Sequence, residues 1–375
     1  MQLKKIVNIM RDDKFLDYYI AMSERFIPNE TSYVIFKDTD ELVHIKNKTV
    51  PLIILKESSD NFDELVASLS KTNVIVFHSF NERWFNFIRS IPKGLKKVWL
   101  FWGFEGYAAL PKPTFPSMSV KIAKYENNFS GNVRFLYSCF RRIFINKNHL
   151  EAREIINVMD YCATWVDADH ALAKTINPYL KNLSFNYYTK ELMDFESFDV
   201  QRLNRNKLLL GNSADPSNNH IDALQFLHKN KFKGIIYCPL SYGGTKLYRE
   251  YICKLGNKYF GSNFKPLVEF MPLNEYQLIV NECGIVWMNH KRQQAAGNLL
   301  FSFLAKKIVV LNSVSPLIDT FDKWNLKHFN RNNFEMANSN LEADLEKNRK
   351  IILERITIDQ NETFFRSIEK LALGK

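Results

Sequence analysis

The chain has 375 residues, 46% of them hydrophobic and 24% charged, with a formal net charge of +11 at pH 7. So much apolar content excludes a disordered chain, and the length suits two α/β domains better than one core. No apolar run reaches the roughly 18–20 residues that span a bilayer, so no membrane-crossing helix is expected. Met1-Gln2-Leu3-Lys4-Lys5-Ile6-Val7 enters a strand directly without a signal-peptide core, and the expected location is the cytoplasm. The cysteines (Cys139, Cys162, Cys238, Cys253, Cys283) are scattered with no Cys-x-x-Cys pair, so free thiols are expected. The positive charge asks for an acidic partner: nucleic acid, anionic lipid or a phosphorylated substrate.

In chain order, Lys4–Met10 reads as a first strand, followed by a helix through Leu16, Tyr19 and Met22 and a strand near Ser32–Phe36. Asp38-Thr39-Asp40 reads as a turn rather than a metal-binding Asp-x-Asp. Thr72–Phe77 and Lys97–Phe101 are buried strands; the first ends in His78-Ser79-Phe80-Asn81, the second in Trp102-Gly103-Phe104-Glu105-Gly106-Tyr107. Ligands of open α/β sheets sit beyond the carboxyl ends of strands, so His78 and Glu105 form a candidate general-base site. The bland alternative is a core-satisfied histidine and a solvated glutamate.

Arg134–Lys147 alternates bulky apolar groups with cations. Arg134, Phe140, Arg141, Arg142 and Phe144 suit either an anionic membrane surface or a buried helix with a basic edge. A helix over Ala152–Met159 and a strand over Cys162–Val166 follow. Asp167 and Asp169 then read as N-caps of the next helix. The polar stretch Lys190–Asn206 carries the boundary between a first domain, 1–195, and a second, 196–345, with helices over 346–375.

Lys207–Leu210 restarts the pattern as a strand and runs into Gly211-Asn212-Ser213-Ala214-Asp215-Pro216-Ser217-Asn218-Asn219 before a helix over His220–His228. Small and amide residues in that loop can bond a ligand closely, and Asn218 or Asn219 can cap the helix. The loop does not match the dinucleotide fingerprint Gly-x-Gly-x-x-Gly. A strand over Gly234–Cys238 leads to Pro239-Leu240-Ser241-Tyr242, and Met271–Tyr276 opens a further helix.

The central stretch is Gly284-Ile285-Val286-Trp287, a buried strand, followed by Met288-Asn289-His290-Lys291-Arg292-Gln293-Gln294-Ala295-Ala296-Gly297. A helix is expected from near Gln293. Its free N–H groups and partial positive charge suit an anion, and His290, Lys291 and Arg292 add donors. The stretch reads as a seat for a diphosphate, weighed against an ordinary strand–helix loop with surface charges.

At these residues the chain resembles the 4-acetamido-4,6-dideoxygalactose transferases of enterobacterial common antigen synthesis, glycosyltransferase family 56. The blocks that carry it are Leu210–Ile221, Pro239-Leu240-Ser241-Tyr242 and Arg292-Gln293-Gln294 with Gly297, then His78, Phe80 and Asn81, and Trp102-Gly103 with Glu105 and Tyr107. Glu105 stands where that family has an Asp, and Gly106 departs from its pattern. The resemblance implies an α/β fold of GT-B architecture: two Rossmann-like domains facing a cleft, with a C-terminal helix crossing back. It also implies inverting, metal-independent transfer from a nucleotide-diphosphate sugar to a polyprenyl-diphosphate-linked glycan, at the inner face of the plasma membrane. The expected cofactors are none, and no metal. The donor-site residues are then Gly211, Asn212, Ser213, Ser217, Asn218, Tyr242, Tyr276, His290, Arg292, Gln293, Gln294 and Gly297. Glu105 is the first choice of base and His78 the second.

Three rivals stand beside this reading. Nucleic-acid binding rests on charge alone and lacks any recognition motif. A non-catalytic GT-B-like sugar-binding scaffold would bind without transfer. A manganese enzyme using Asp38 and Asp40 would need a metal.

Overall fold

The computed structural model describes residues 2–13, 15–39, 41–47, 49–109, 118–119, 150–191, 200, 203–338 and 340–375. The chain divides into two compact units. The first takes Met1–Lys112, Arg142–Met193 and Ile356–Lys375; the second takes Pro113–Arg141 and Asp194–Arg355. The division is therefore not a single cut. Ser119, early in the sequence, accepts the Ile221 N–H at 3.0 Å within the second unit, while the last twenty residues belong to the first.

The first unit is built on strands β1 (Ile6–Arg11), β2 (Thr31–Phe36), β3 (Leu52–Leu55), β4 (Val74–His78), β5 (Lys96–Leu100), β6 (Tyr161–Ala163) and β7 (Lys181–Leu183). They form one sheet in the order β3-β2-β1-β4-β5-β6-β7, and every pairing is parallel. A parallel sheet must be covered on both faces, which is why these strands read as apolar runs. Val7, Ile9, Ile75, Phe77 and Trp99 face one core, and Ile6, Met10, Val74, Val76 and Val98 the other. Phe364, Phe365 and Ile368 of the C-terminal helix Glu362–Ala372 pack into that second core beside Leu16, Tyr19 and Ile20. The apolar stripe of that helix, and not its helix propensity, fixes the end of the chain here.

The second unit carries β8 (Lys207–Leu210), β9 (Ile235–Pro239), β10 (Phe264–Leu267), β11 (Ile285–Met288), β12 (Ile308–Leu311) and β13 (Phe329–Asn330). Their order is β10-β9-β8-β11-β12-β13, again parallel throughout. Strand order reverses between β8 and β11, and ligands of such sheets bind at that switch point. Cys162, Cys238, Cys253 and Cys283 are free thiols, as the spacing predicts.

Three sequence expectations are corrected. The helix expected from Gln293 starts at Ala296, because Ala295 adopts the left-handed conformation at φ 59° and interrupts it. Asp167 and Asp169 do not cap a helix. They lie inside the first turn of Asp167–Lys174, whose flanking residue is Val166, and Asp169 instead accepts the Tyr107 hydroxyl at 2.7 Å. Asn219 occupies the cap position before His220–Lys229 but makes no side-chain cap, since its amide is used elsewhere.

Candidate active site

The loops that follow β8 and β11 leave adjacent strands at the switch point, and Gly211 N–H donates to Trp287 O across them at 2.9 Å. From there the two loops are tied together by side-chain amides. Asn219 Nδ2 donates to Asn289 O at 2.7 Å, and Asn289 Nδ2 returns a bond to Asn219 O at 3.1 Å. Gln294 Nε2 reaches Asn212 Oδ1 at 3.1 Å, while its Oε1 accepts from Ser217 Oγ at 2.7 Å. Arg292 Nη2 lies 3.4 Å from the same Ser217 Oγ. Six expected donor-site residues, Asn212, Ser217, Asn218, His290, Arg292 and Gln294, therefore meet in one cluster.

Asn218, fully buried, is its hub. Its Oδ1 accepts Asn212 N–H at 2.9 Å and His290 Nε2–H at 2.8 Å; its Nδ2 donates to Ser213 Oγ at 3.2 Å and Asp215 O at 3.0 Å. Gly211 stands at φ +72°, where a Cβ would come within 2.7 Å of Asn218 Oδ1, so only glycine fits both the turn and the contact. The loop after β9 closes on this one in the same way. Tyr242 O accepts Ala214 N–H at 2.8 Å and its hydroxyl accepts Asn212 Nδ2 at 3.2 Å. A Cβ on Gly244 would fall 2.1 Å from Ala214 O. Tyr276 enters through Asn298, whose Nδ2 donates to its hydroxyl at 3.1 Å.

Two charged groups meet at Ser217 Oγ: Arg292, and the Asp215 carboxylate, whose Oδ1 accepts that hydroxyl at 2.5 Å. Burial, then the Arg292 charge and His220, push His290 well below the usual imidazole range, so it is a neutral donor. The helix Ala296–Leu304 begins without a side-chain cap because Ala295 has nothing to offer. The N–H groups of its first turn, Gly297 among them, thus receive no cap from the preceding residue's side chain. Gln293 Oε1 is buried with no hydrogen bond among the described residues.

In the first unit, His78 closes β4 with both ring nitrogens engaged: Nδ1 lies 2.7 Å from Tyr187 Oη and Nε2 3.2 Å from Asn8 Oδ1. Trp102 Nε1 donates to the same tyrosine oxygen at 3.0 Å. Burial lowers the His78 pKa to about 3, so the ring is neutral. Both ring nitrogens of His78 are thus engaged within the first unit.

Glu105 differs. Its Oε1 accepts Trp102 N–H at 2.7 Å and Trp99 Nε1–H at 3.0 Å, while Oε2 has no hydrogen bond among the described residues. The residue is 3% exposed. Burial raises its pKa to about 7 against the pull of those donors, and likewise raises Asp169 to about 7 with the Glu105 charge adding to it. The solvated glutamate of the bland alternative is not what the fold builds.

Arg134, Phe140, Arg141, Arg142, Phe144 and Asp40 lie outside the described residues. Sequence reasoning did not single out Asn289, Asp215 or Asn298. The two partners of the Asn219–Asn289 pair stand 70 residues apart, and no local pattern announces such a pairing. Among the described residues, no group of three or more His, Cys, Asp or Glu side chains is placed to hold a metal.

The fold recurs in solved structures. A glycosyltransferase from Rickettsia africae superposes with a TM-score of 0.65 at 11% identity, covering 100% of this chain and 99% of that one. Trehalose 6-phosphate synthase of Burkholderia multivorans gives 0.61 at 12%, covering 100% and 98%. HepE of Anabaena, in complex with UDP, gives 0.60 at 11%, covering 98% and 99%. Two parallel α/β units of this kind define the GT-B class of glycosyltransferases. Within that class, residues 141–351 match the model of the 4-alpha-L-fucosyltransferases, glycosyl transferase group 56, and the chain belongs to that family. It is a glycosyltransferase.

Proposed function

We propose that the second unit binds a nucleotide-diphosphate sugar through the paired loops after β8 and β11, and that the enzyme transfers the sugar with inversion and without a metal. The observation that carries this reading is the meeting of Arg292, Ser217, Gln294 and the uncapped start of Ala296–Leu304 at the sheet's switch point. In transfer the acceptor hydroxyl attacks C1, the C1–O bond to the diphosphate breaks, and negative charge grows on the departing phosphate. Donors aimed at that charge each contribute about 2.7–4 kcal/mol in comparable sites. Tyr242 and Tyr276 flank the loops and are assigned to the base and ribose. The UDP bound to HepE supports a nucleoside diphosphate as the leaving group.

Glu105 is assigned as the base that takes the acceptor proton. Burial raises its pKa to about 7, and its Oε2 has the Ser79 hydroxyl as polar neighbour without a well-formed hydrogen bond among the described residues, whereas His78 has both nitrogens engaged. At 3% exposure, the assignment demands that the hydroxyl reach Oε2, which makes it open to refutation by kinetics.

The donor is assigned as a dTDP-linked acetamido-dideoxyhexose and the acceptor as a polyprenyl-diphosphate-linked glycan, from the family resemblance. No helix among the described residues is long and apolar enough to cross a membrane, so the enzyme would meet such an acceptor from the bilayer surface, with Arg134–Lys147 as the docking segment. Reversing the charges of Arg141 and Arg142 should then weaken flotation with anionic liposomes. The test of the function is turnover of candidate sugar nucleotides by Arg292→Ala: transfer should fall about a hundredfold or more while the melting point stays put. Transfer at the wild-type rate would remove Arg292 from the diphosphate.

A further inference from the structure

The carboxyl ends of β1 and β2 in the first unit border an open, solvent-facing pocket of about 340 Å³ that the reading above does not use. Arg11, at the end of β1, and Arg83, after β4, both reach into it, and both are held by one carboxylate. Glu57 Oε1 accepts Arg11 Nε at 2.8 Å and Nη2 at 2.5 Å, together with Trp84 Nε1 at 2.9 Å; Oε2 accepts Arg83 Nη1 at 3.1 Å. The Glu57 side chain is only 5% exposed, while those of Arg11 and Arg83 are 48% and 65% exposed. The Arg11 guanidinium also lies 5.6 Å from the Trp84 ring centroid. The buried anchor and the ring thus hold the Arg11 fork, which lowers the side-chain entropy it has left to lose on binding, while Arg83 is tied to the same anchor by one bond.

Each fork keeps donors in hand. Among the described residues, Arg11 Nη1 and Arg83 Nε and Nη2 make no hydrogen bond to protein. Over the whole lining the cations Arg11, Lys37 and Arg83 are matched by the acids Asp12, Asp38 and Glu57, so the preference for an oxyanion rests on the two forks and not on net charge. The other buried acid of the pocket is already answered: Asp12 accepts Lys37 Nζ at 2.5 Å and the backbone N–H of Val43, His44 and Ile45. Planar forks with spare N–H groups match tetrahedral oxyanions, which accept two bonds at once.

We propose that this pocket is a second oxyanion site, separate from the donor loops, that takes the phosphate or diphosphate of an organic phosphate ester on Arg11 and Arg83. Glu57 is its positioning residue. The site stands independently of the transfer reaction.

Calorimetric titration of the full chain with inorganic pyrophosphate tests it, alongside Arg83→Gln, the double variant Arg11→Gln/Arg83→Gln, and Arg292→Ala. The wild type should show two sites. Arg83→Gln should weaken one of them by about tenfold or more, as expected for a lost charge-assisted contact, and leave the other. Arg292→Ala should do the reverse, so a failure of the donor reading shows in a different variant. Glu57→Gln separates a built site from diffuse attraction: removing a negative charge strengthens binding if charge alone matters, and weakens it if Glu57 aligns the forks. Flotation with phosphatidate-doped against plain phosphatidylcholine vesicles distinguishes the source. Arg83-dependent binding to phosphatidate assigns a lipid headgroup, and pyrophosphate binding alone assigns a soluble ester. A single pyrophosphate site, lost in Arg292→Ala and untouched in Arg11→Gln/Arg83→Gln, would overturn the proposal.

Discussion

His290 donates from Nε2 to the side-chain oxygen of Asn218, 2.8 Å away and 72 residues distant in sequence. The same oxygen accepts a backbone N–H from Asn212, which identifies it as the oxygen and His290 as the Nε2–H tautomer. The bond holds the β11 loop against the β8 loop, and the donor site depends on that pairing.

Asn218→Ala should therefore do more than remove one contact. It strands His290 Nε2 in a buried place, at about 1–3 kcal/mol, and leaves the part-buried Asn212 amide without its partner. Urea unfolding should show a loss of that order, with weaker nucleotide binding. A variant within about 0.5 kcal/mol of wild type, the range of neutral surface changes, would mean the loops are held by other contacts.

The pH dependence of stability tests the burial of Glu105. In the fold its pKa rises to about 7 from an ordinary value of 4.5, and that of Asp169 rises to about 7 from 3.8. The folded protein thus binds more protons than the unfolded chain between those values. The stability this contributes is full below about pH 4 and is lost as pH rises through 7. Buried neutral His78 and His220, with pKa values pulled down to about 3, act in the opposite sense and lose their contribution as pH falls. A difference measurement isolates the acid. The melting point of wild type minus that of Glu105→Gln should decline from pH 5 to pH 8, and a flat difference would mean Glu105 is ionised throughout. In the same variant kcat should fall while donor affinity holds; equal losses in both would make Glu105 structural.

The C-terminal helix gives a test of packing. Phe365 is fully buried in the core that covers β1 and β4, and Phe365→Ala should cost about 3–5 kcal/mol. Phe270 is 82% exposed, so Phe270→Ala should stay within about 0.5 kcal/mol. Comparable melting points for the two variants would show that the last twenty residues are dispensable to the first unit.

Much of this was legible from the sequence, for a physical reason. Fully buried parallel strands such as Val74–His78 and Ile285–Met288 are short apolar runs bounded by polar loops, and the loops that follow them fall where ligands bind. β3 (Leu52–Leu55) escaped, because its residues are only half-buried at the sheet edge and its run is four residues long. The start of Ala296–Leu304 is not legible, because nothing in Gln294-Ala295-Ala296 signals a left-handed alanine. Glu105 could be singled out, but not its enclosure by Trp99 and Trp102, which depends on how β5 turns into the next helix. The assembly of Ser119 with the second unit is likewise a tertiary fact with no local signature.

The central claim is that the loops after β8 and β11 hold the diphosphate of a sugar nucleotide. A crystal soaked with the nucleotide diphosphate that binds best in a thermal-shift screen tests it most directly. The account predicts phosphate density within hydrogen-bonding distance of Arg292 and the first-turn N–H groups of Ala296–Leu304. Density for the nucleotide elsewhere, with those groups untouched, would contradict it.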